Sequence, residues 1–231
     1  MIRFFKKVRR FWKSCFSWDD FFRLSWGQEG EDLVLLRLFP KKSGFYIDIG
    51  AHHPKRFSNT YLFYQKGWNG INIDAKPGSM KLFQKVRSRD VNLEIPIAQE
   101  YKKLTYFEFE EPALNTFSKD LLIERKVKPI REIKLDCYPL SEILDKHLNS
   151  RQEIDFMSID VEGLDLEVLK SNNWEKYRPK IVLVEILKSS LQQVQKTAVY
   201  RFLKEQNYDI YAKSVNTVFF IREDFWKTIN Q

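Results

Sequence analysis

Residues 44–74 read GFYIDIGAHHPKRFSNTYLFYQKGWNGINID, and this stretch predicts the fold. An apolar run ends in Asp48-Ile49-Gly50, a helix-like segment follows, and a second apolar run ends in Asp74. A strand, a tight glycine turn, a helix and a second strand with a terminal acid form the first half of a nucleotide-binding α/β sheet. In such a sheet Gly50 lets the backbone approach a ligand closely, and Asp74 is placed to accept hydrogen bonds from ribose hydroxyls.

The glycine pattern indicates which kind of ligand this turn binds. A dinucleotide site needs G-x-G-x-x-G around the pyrophosphate, whereas a P-loop needs G-x-x-x-x-G-K-[ST]. The turn here has one glycine, Gly50, beside the acid Asp48. A nicotinamide-dependent oxidoreductase is therefore disfavoured. A ligand with a ribose but no phosphates fits better, and S-adenosylmethionine is such a ligand, with cationic groups that favour an acidic turn.

Several ordered motifs carry a family resemblance. They are Gln28-Glu29-Gly30-Glu31-Asp32, FYIDIGAHHP at 45–54, Ser58-Asn59-Thr60, GWNGINID at 67–74, Ile159-Asp160-Val161-Glu162-Gly163, and Arg178-Pro179-Lys180 before a run ending in Glu185. Together they resemble the FkbM-family S-adenosylmethionine-dependent methyltransferases over residues 26–185. One departure is Asp74-Ala75, where many members have Glu-Pro, although Asp also reaches ribose hydroxyls. The resemblance implies a hydroxyl acceptor, often on a sugar of a cell-surface polysaccharide or glycolipid and sometimes on a polyketide.

Hydrophobic periodicity predicts alternating strands and helices. Strands are expected at 45–47, 71–73, 91–98, 104–110, 132–137, 154–160, 181–186, 208–213 and 217–222, and helices at 28–39, 58–66, 78–87, 164–171 and 192–206. This order predicts an α/β, Rossmann-like class I methyltransferase fold: a mostly parallel, doubly wound sheet with a C-terminal antiparallel hairpin strand. The strands at 104–110 and 132–137 belong to an insertion placed to cover the acceptor site.

Candidate cofactor-binding residues follow from these motifs. Asp48 and Gly50 are expected at the methionine end of the cofactor, and Asp74 at its ribose. The remaining candidates are Gln28 in the upstream motif, His52 in the first turn and Ala98 at the end of the third apolar segment. The alternative for Asp48 is a structural role, in which it caps the loop after its strand, and the alternative for Asp74 is a solvated acid at a strand end.

Candidate catalytic residues lie at the second acidic turn and beside the first. Ligands of open parallel sheets bind outside the carboxyl ends of the strands, where Asp160 is expected. An alcohol has a high pKa, so methyl transfer to a hydroxyl needs a carboxylate or a histidine to take up the proton, or a metal to bind the alkoxide. Asp160 is the predicted base, and Glu162 and His53 are further candidates. Glu185 ends the next strand, so these acids also form a candidate Mg²⁺ site.

Composition predicts one domain in a reducing compartment. The 231 residues are 43% hydrophobic and 15% aromatic, which suffices for a core. The two cysteines, Cys15 and Cys137, are far apart and lack metal-ligand spacing, which favours a cytoplasmic location. Of the net charge of +8, residues 1–26 contribute +5 (seven basic, two acidic), which leaves +3 for the rest. Nucleic acid is disfavoured as a partner, because its binding needs charge on the folded surface.

The first 16 residues predict an amphipathic helix. At about 100° per residue, aromatic and apolar side chains fall on one side and cations on the other. The apolar set is Phe4, Phe5, Val8, Phe11, Trp12, Cys15 and Phe16, and the cationic set is Arg3, Lys6, Lys7, Arg9, Arg10 and Lys13. The pattern is typical of helices that lie on an anionic membrane surface, here the inner face, with packing on the domain as the alternative. Residues 1–25 are thus interpreted as an extension and 26–231 as the methyltransferase domain.

The function predicted from these residues and the resemblance is O-methyl transfer. The cofactor is S-adenosylmethionine, and the acceptor is a hydroxyl of a small molecule or, by preference, of a sugar in a polysaccharide or glycolipid. The alternative is a non-catalytic, cofactor-binding or membrane-associated scaffold that retains the fold.

Overall fold

The computed structural model describes residues 23–125, 127–149 and 151–229. The amphipathic helix predicted over residues 1–16 lies outside this part of the chain. Within the described part, helices and strands alternate along the sequence. Each helix there falls short of the length and apolarity that a membrane span requires.

The elements of the described part are as follows. The strands are β1 (Phe45–Ile49), β2 (Asn69–Asp74), β3 (Val91–Glu94), β4 (Lys102–Glu108), β5 (Arg131–Cys137), β6 (Phe156–Ile159), β7 (Ile181–Glu185), β8 (Tyr208–Lys213) and β9 (Thr217–Arg222). The helices are α1 (Glu31–Leu38), α2 (Tyr61–Gln65), α3 (Met80–Val86), α4 (Lys119–Arg125), α5 (Leu140–His147), α6 (Asp165–Ser171), α7 (Leu191–Val194), α8 (Ala198–Glu205) and α9 (Glu223–Ile229), with a 3₁₀ turn at Pro112–Leu114.

The main sheet has seven strands in the order β3-β2-β1-β6-β7-β9-β8. The pairs from β3 to β7 are parallel, whereas β9 pairs antiparallel with both β7 and β8. The predicted doubly wound sheet with an antiparallel hairpin strand is therefore confirmed.

The chain changes direction beside β1. From β1 it runs outward through β2 to β3, and it later returns to pair β6 with the other side of β1. Open α/β sheets bind ligands at such a switch point, outside the carboxyl ends of the strands. Gly50 follows β1 and Asp160 follows β6, so the fold brings the two predicted turns to this point.

Helices cover both faces of the sheet. Successive residues of a strand point to opposite faces, so each strand contributes side chains to both sides. Ile47 and Ile49 of β1 pack in one core cluster with α5, α6 and α8, whereas Tyr46 packs in the other with α1 and α2. Trp68 and Trp174 are both buried, so their role is packing. Each fully buried aliphatic side chain contributes about 1.5–3 kcal/mol to this core.

Several elements are shorter than their patterns predicted, and for two of them the physical reason is clear. The single helix expected over residues 192–206 is divided into α7 and α8, because Thr197 Oγ1 accepts a bond from the Tyr200 N–H at 3.1 Å and starts a new helix. The strand expected over residues 91–98 ends at Glu94, before Pro96, which has no N–H to donate. The sequence pattern predicted neither α4 nor α9.

The predicted insertion is a separate unit. Its strands β4 and β5 form a two-stranded antiparallel sheet outside the main sheet. Phe107 and Thr116 exchange backbone hydrogen bonds of 2.9 and 3.2 Å, which fold the segment after β4 back onto that strand. The insertion therefore presents residues 112–117 beside the switch point.

Residues 25–30 form an N-terminal strap that is tied to the β8–β9 turn. The Glu29 carboxylate accepts bonds from the backbone N–H and the side-chain amide of Asn216, at 2.8 and 3.1 Å. Glu31, at the start of α1, accepts a 2.7 Å bond from the Ser214 hydroxyl. The acids of the upstream motif thus fix the strap against the closing hairpin and leave Gln28 at the switch point.

Candidate active site

Gly50 brings the two acidic turns into contact. Its φ of 79° lies in the left-handed region that glycine adopts without strain. A Cβ atom at this position would lie 1.7 Å from the carbonyl oxygen of Asp160. The N–H groups of Gly50 and Ala51 both donate to the carbonyl of Ile73, at 2.9 and 3.1 Å. The absence of a side chain therefore lets one turn fit tightly against both β2 and β6.

Asp74 ends β2 and holds two loops by their backbone. One carboxylate oxygen accepts a bond from the His52 N–H and the other from the Lys76 N–H, both at 2.8 Å. Burial raises the pKa of Asp74, and these two backbone bonds oppose the rise. Each carboxylate oxygen has two acceptor positions, so Asp74 retains capacity for ligand hydroxyls.

Asp48 is a buried acid inside β1. Its Oδ2 accepts a 2.7 Å hydrogen bond from the Thr60 hydroxyl. Burial raises the pKa of Asp48 to about 6, although the Thr60 bond and the positive charge of Arg87 lower it. Asp48 therefore changes charge close to neutral pH.

Arg87 supports Asp48 indirectly, through the Thr60 hydroxyl. It is fully buried and pairs with Asp90, with 2.9 Å between Nε and Oδ2. Its Nη2 donates to the Tyr46 hydroxyl at 2.7 Å and to Thr60 Oγ1 at 3.1 Å. Because Thr60 accepts this bond from the guanidinium, its own hydrogen is directed to Asp48. The Ser58-Asn59-Thr60 motif thus contributes to the site through a buried network.

Asp160 follows β6, and its side chain is open to the cleft at the switch point. Surrounding protein atoms desolvate the carboxylate and raise the pKa of Asp160 well above its ordinary value. The negative charges of Glu185 and Glu162 raise it further. Carboxylate oxygens of these three residues lie within 4.8 Å of one another, so the group has the donor type and spacing to hold a divalent cation.

The turn after Asp160 is held by the insertion and by α6. Glu162 has a left-handed φ of 52°, an uncommon conformation for a residue other than glycine. Its carbonyl accepts a 2.7 Å bond from the Thr116 hydroxyl of the insertion. Asp165 accepts bonds from the N–H groups of Val161 and Gly163, at 3.2 and 3.3 Å. The second acidic turn is therefore fixed on both sides.

These turns and the insertion enclose one cleft with about 250 Å³ of internal space. Its polar lining includes Gln28, Asp48, His52, Asn59, Asp74, Lys76, Asn115, Asp160, Glu162 and Glu185. Its apolar and aromatic lining includes Phe57, Ile73, Ala75, Ile95, Pro96, Ile97, Tyr106 and Phe117. Seven of the predicted site residues line it: Gln28, Asp48, Gly50, His52, Asp74, Asp160 and Glu162.

Two predicted residues lie outside this lining. Ala98 is fully buried and hydrogen-bonds through its backbone N–H to the Tyr138 carbonyl, while Pro96 and Ile97 take the place at the cleft wall. The Nδ1 atom of His53 accepts bonds from the backbone N–H groups that follow it, at 3.1 and 2.9 Å. This placement favours a turn-stabilising role for His53 over the predicted role as a base.

Other lining residues were not predicted. Tyr106 comes from the insertion, and burial raises the pKa of its hydroxyl, with the nearby Asp74 charge adding to the rise. Phe57 lies in the loop after β1 with an exposed fraction of 44%. The apolar pattern of β4 indicated a strand that contains Tyr106, but a one-dimensional pattern does not show which loop the strand faces.

The cleft has the chemistry that S-adenosylmethionine requires. Asp74 offers acceptors for ribose hydroxyls, and Ala75 and Ile97 provide apolar surface nearby. Asp48 offers negative charge at the switch point, which complements cationic sulfonium and ammonium groups. The residues present therefore fit this cofactor.

The sheet order and the three acids at the carboxyl ends of β1, β2 and β6 define the class of protein, which is a Rossmann-like S-adenosylmethionine-dependent methyltransferase. Comparison with known families agrees with this class. Residues 48–210 match the family described as Methyltransferase FkbM domain, and the match covers more than half of the chain. The chain belongs to the FkbM family of methyltransferases. A search of curated protein sequences gave no match.

Among solved structures, precorrin-6y C5,15-methyltransferase from Geobacter metallireducens is similar at 16% identity and a TM-score of 0.44, over 88% of this chain and 93% of that one. Burkholderia thailandensis 1,6-didemethyltoxoflavin-N1-methyltransferase, solved with its substrate and S-adenosylhomocysteine, has 10% identity and a TM-score of 0.42, over 94% and 84%. A putative rRNA-methylase from Clostridium thermocellum has 10% identity and a TM-score of 0.44, over 87% and 97%.

Proposed function

We propose that this protein transfers a methyl group from S-adenosylmethionine to a hydroxyl oxygen, and that the acceptor is a sugar of a polysaccharide or glycolipid. The observation that carries the proposal is the position of Asp160. Its carboxylate lies at the switch point, open to the cleft and beside the insertion. A hydroxyl that enters from the insertion side meets this carboxylate.

The acids divide the work of binding and proton removal. When bound, S-adenosylmethionine supplies an electrophilic methyl group on a cationic sulfur. Asp74 accepts hydrogen bonds from the ribose hydroxyls, and Asp48 pairs with the cationic end. Gln28 and His52 line the same space and complete the cofactor contacts. Alignment of the acceptor oxygen with the methyl group lowers the barrier to methyl transfer by roughly several kcal/mol.

Asp160 serves as the general base. Asp160 would take up the hydroxyl proton when the acceptor oxygen is methylated, with S-adenosylhomocysteine as the other product. A base works best when its pKa is close to the ambient pH, and desolvation together with Glu185 and Glu162 moves the pKa of Asp160 in that direction. The desolvated carboxylate is therefore suited to proton removal.

Methyl transfer with labelled cofactor tests the reaction and its atom. The protein is incubated with methyl-labelled S-adenosylmethionine and a bacterial glycan extract, with a polyamine extract in parallel. Label in a methyl ether that survives alkaline hydrolysis is expected, and label recovered only on nitrogen would refute the oxygen assignment. Binding of S-adenosylhomocysteine without transfer to any acceptor would favour the scaffold alternative.

A divalent cation is the alternative to direct proton removal. If Mg²⁺ is bound by Asp160, Glu162 and Glu185, a chelator abolishes turnover and added Mg²⁺ restores it. If Asp160 acts as the base, a chelator leaves turnover unchanged.

We also propose that residues 1–16 bind an anionic membrane surface and hold the enzyme at the cytoplasmic face, near lipid-linked glycans. Basic residues near such a surface contribute about 1 kcal/mol each, and salt screens this contribution. Full-length protein should sediment with phosphatidylglycerol vesicles at low salt and less at high salt. Charge reversal at Arg9 and Arg10 should abolish sedimentation. Packing of the segment on the domain predicts no sedimentation and a lower melting temperature when its aromatic residues are replaced.

A further inference from the structure

Phe57 is an aromatic residue that lines the cleft together with Asp160. Its exposed fraction is 44%. It lines the main cleft and also a side compartment of about 20 Å³. Asp160, Gln28 and Asn59 line both spaces as well. A group that contacts Phe57 is therefore close to the proposed base.

The backbone at Phe57 is strained. Its φ of 57° is left-handed, which is a genuine outlier for a bulky side chain. Ser58, the next residue, holds the Phe57 backbone in this conformation. The Ser58 N–H donates to the Trp26 carbonyl at 2.9 Å, and Ser58 Oγ accepts from the Tyr61 N–H at 3.1 Å. Strain of this kind concentrates at functional sites. His52 and Glu162, which line the same cleft, are also left-handed.

Neighbouring groups fix the position of the Phe57 ring. The His52 ring is nearly parallel to it, at 16° with 6.3 Å between centroids. The Arg56 guanidinium lies over one face of the ring, 4.5 Å from its centroid, so a sugar would stack on the other face. Arg56 also forms a 3.6 Å ion pair with Glu111 of the insertion. An aromatic surface held between the first turn and the insertion is thus formed before a ligand binds.

We propose that Phe57 is the docking platform for the ring of a sugar acceptor, with the reactive hydroxyl directed to Asp160. This inference rests on the proposed function. The C–H bonds on one face of a sugar ring are weakly positive and complement the negative face of an aromatic ring. Asn59 donates its side-chain amide to Ser158 at 3.1 Å, which leaves its carbonyl oxygen for a sugar hydroxyl.

Binding of a defined probe tests the platform without requiring turnover. Methyl α-D-glucopyranoside is added to the full-length protein with saturating S-adenosylhomocysteine, and saturation-transfer NMR reports contact with the ring hydrogens. The affinity should fall by about two- to tenfold in Phe57→Ala, as expected for loss of one aromatic contact, and persist in Phe57→Tyr. Phe57→Gly, which relieves the backbone strain, should lose the same affinity as Phe57→Ala.

Trp226→Ala is the matched control, because Trp226 is equally exposed at 44% but lies outside the cleft lining. It should leave probe binding unchanged. The proposal is overturned if wild-type protein shows no transfer to the glycoside or if Phe57→Ala binds it normally. It is also overturned if Phe57→Ala weakens S-adenosylhomocysteine binding tenfold, because Phe57 would then be a cofactor contact. If Phe57→Ala methylates a hydroxyl with a normal KM, the platform is refuted and the proposed function is retained. If the probe binds but no hydroxyl is methylated, the proposed function is refuted and the platform is retained.

Discussion

Replacement of Thr60 by valine should make cofactor binding more sensitive to acid. Thr60 donates a 2.7 Å hydrogen bond to Asp48, and valine has the same shape without the hydroxyl. A hydrogen bond to a charged group contributes about 1.5–3 kcal/mol, and a change of one pH unit in a protonation midpoint corresponds to about 1.4 kcal/mol. Loss of the bond should therefore raise the pKa of Asp48 from about 6 to about 7–8.

The consequence for binding follows from the ionised fraction. At about pH 6 half of the wild-type Asp48 is ionised, against about 1–10% in the variant, so affinity should fall roughly five- to fiftyfold. At about pH 8.5 both are largely ionised, and their affinities should be nearly equal. Calorimetric titration of S-adenosylhomocysteine between these pH values measures both limits.

Thr60→Ser is the control, because it keeps the hydroxyl and should bind like wild type across the range. Thermal unfolding of each protein measures how far the fold tolerates loss of the bond from Arg87 to Thr60. Parallel pH profiles for wild type and Thr60→Val would refute the link between Thr60 and Asp48. A flat profile for the wild type would refute the requirement for an ionised Asp48.

Four further predictions concern the same site. Asp160→Asn should lower turnover about 10²–10⁴-fold, measured by methyl transfer, with cofactor affinity retained. Asp74→Ala should weaken S-adenosylhomocysteine binding roughly tenfold or more in calorimetry, with Asp74→Asn intermediate, and unchanged affinity would exclude the ribose role. Gly50→Ala should unfold at a much lower temperature, because its Cβ would lie 1.7 Å from the Asp160 carbonyl oxygen. The pKa of Asp48 is raised on folding from 3.8 to about 6, so it should reduce the free energy of unfolding by about 3 kcal/mol as pH rises through this interval, measurable by denaturant titration.

Local patterns predicted the sheet well because parallel strands buried on both faces leave a strong signal. The runs that end in Asp48, Asp74 and Asp160 became β1, β2 and β6, and the switch point then brought their ends together. The hairpin at 208–213 and 217–222 was also predicted at its observed bounds. Regular periodicity and turn residues carry this information within a few positions of each residue.

The roles of several site residues could not be predicted, because they depend on contacts between segments that are distant in the sequence. His53 follows the same turn as His52, yet it bonds to its own loop, whereas the N–H of His52 binds Asp74. Arg87 is the last residue of a predicted helix, but it is fully buried and donates hydrogen bonds to Tyr46, Thr60 and Asp90. Neither outcome follows from spacing, because each is decided by which side chains other elements supply.

The strap at residues 25–30 limits the distance between Arg23, where the described chain begins, and the cleft. Gln28 lines the cleft and is five positions after Arg23, so Arg23 lies at most about 17 Å away even if that stretch is fully extended. The described part of the chain therefore begins close to the cleft. If residues 1–16 bind a membrane surface as proposed, the strap would limit the distance between that surface and the cleft.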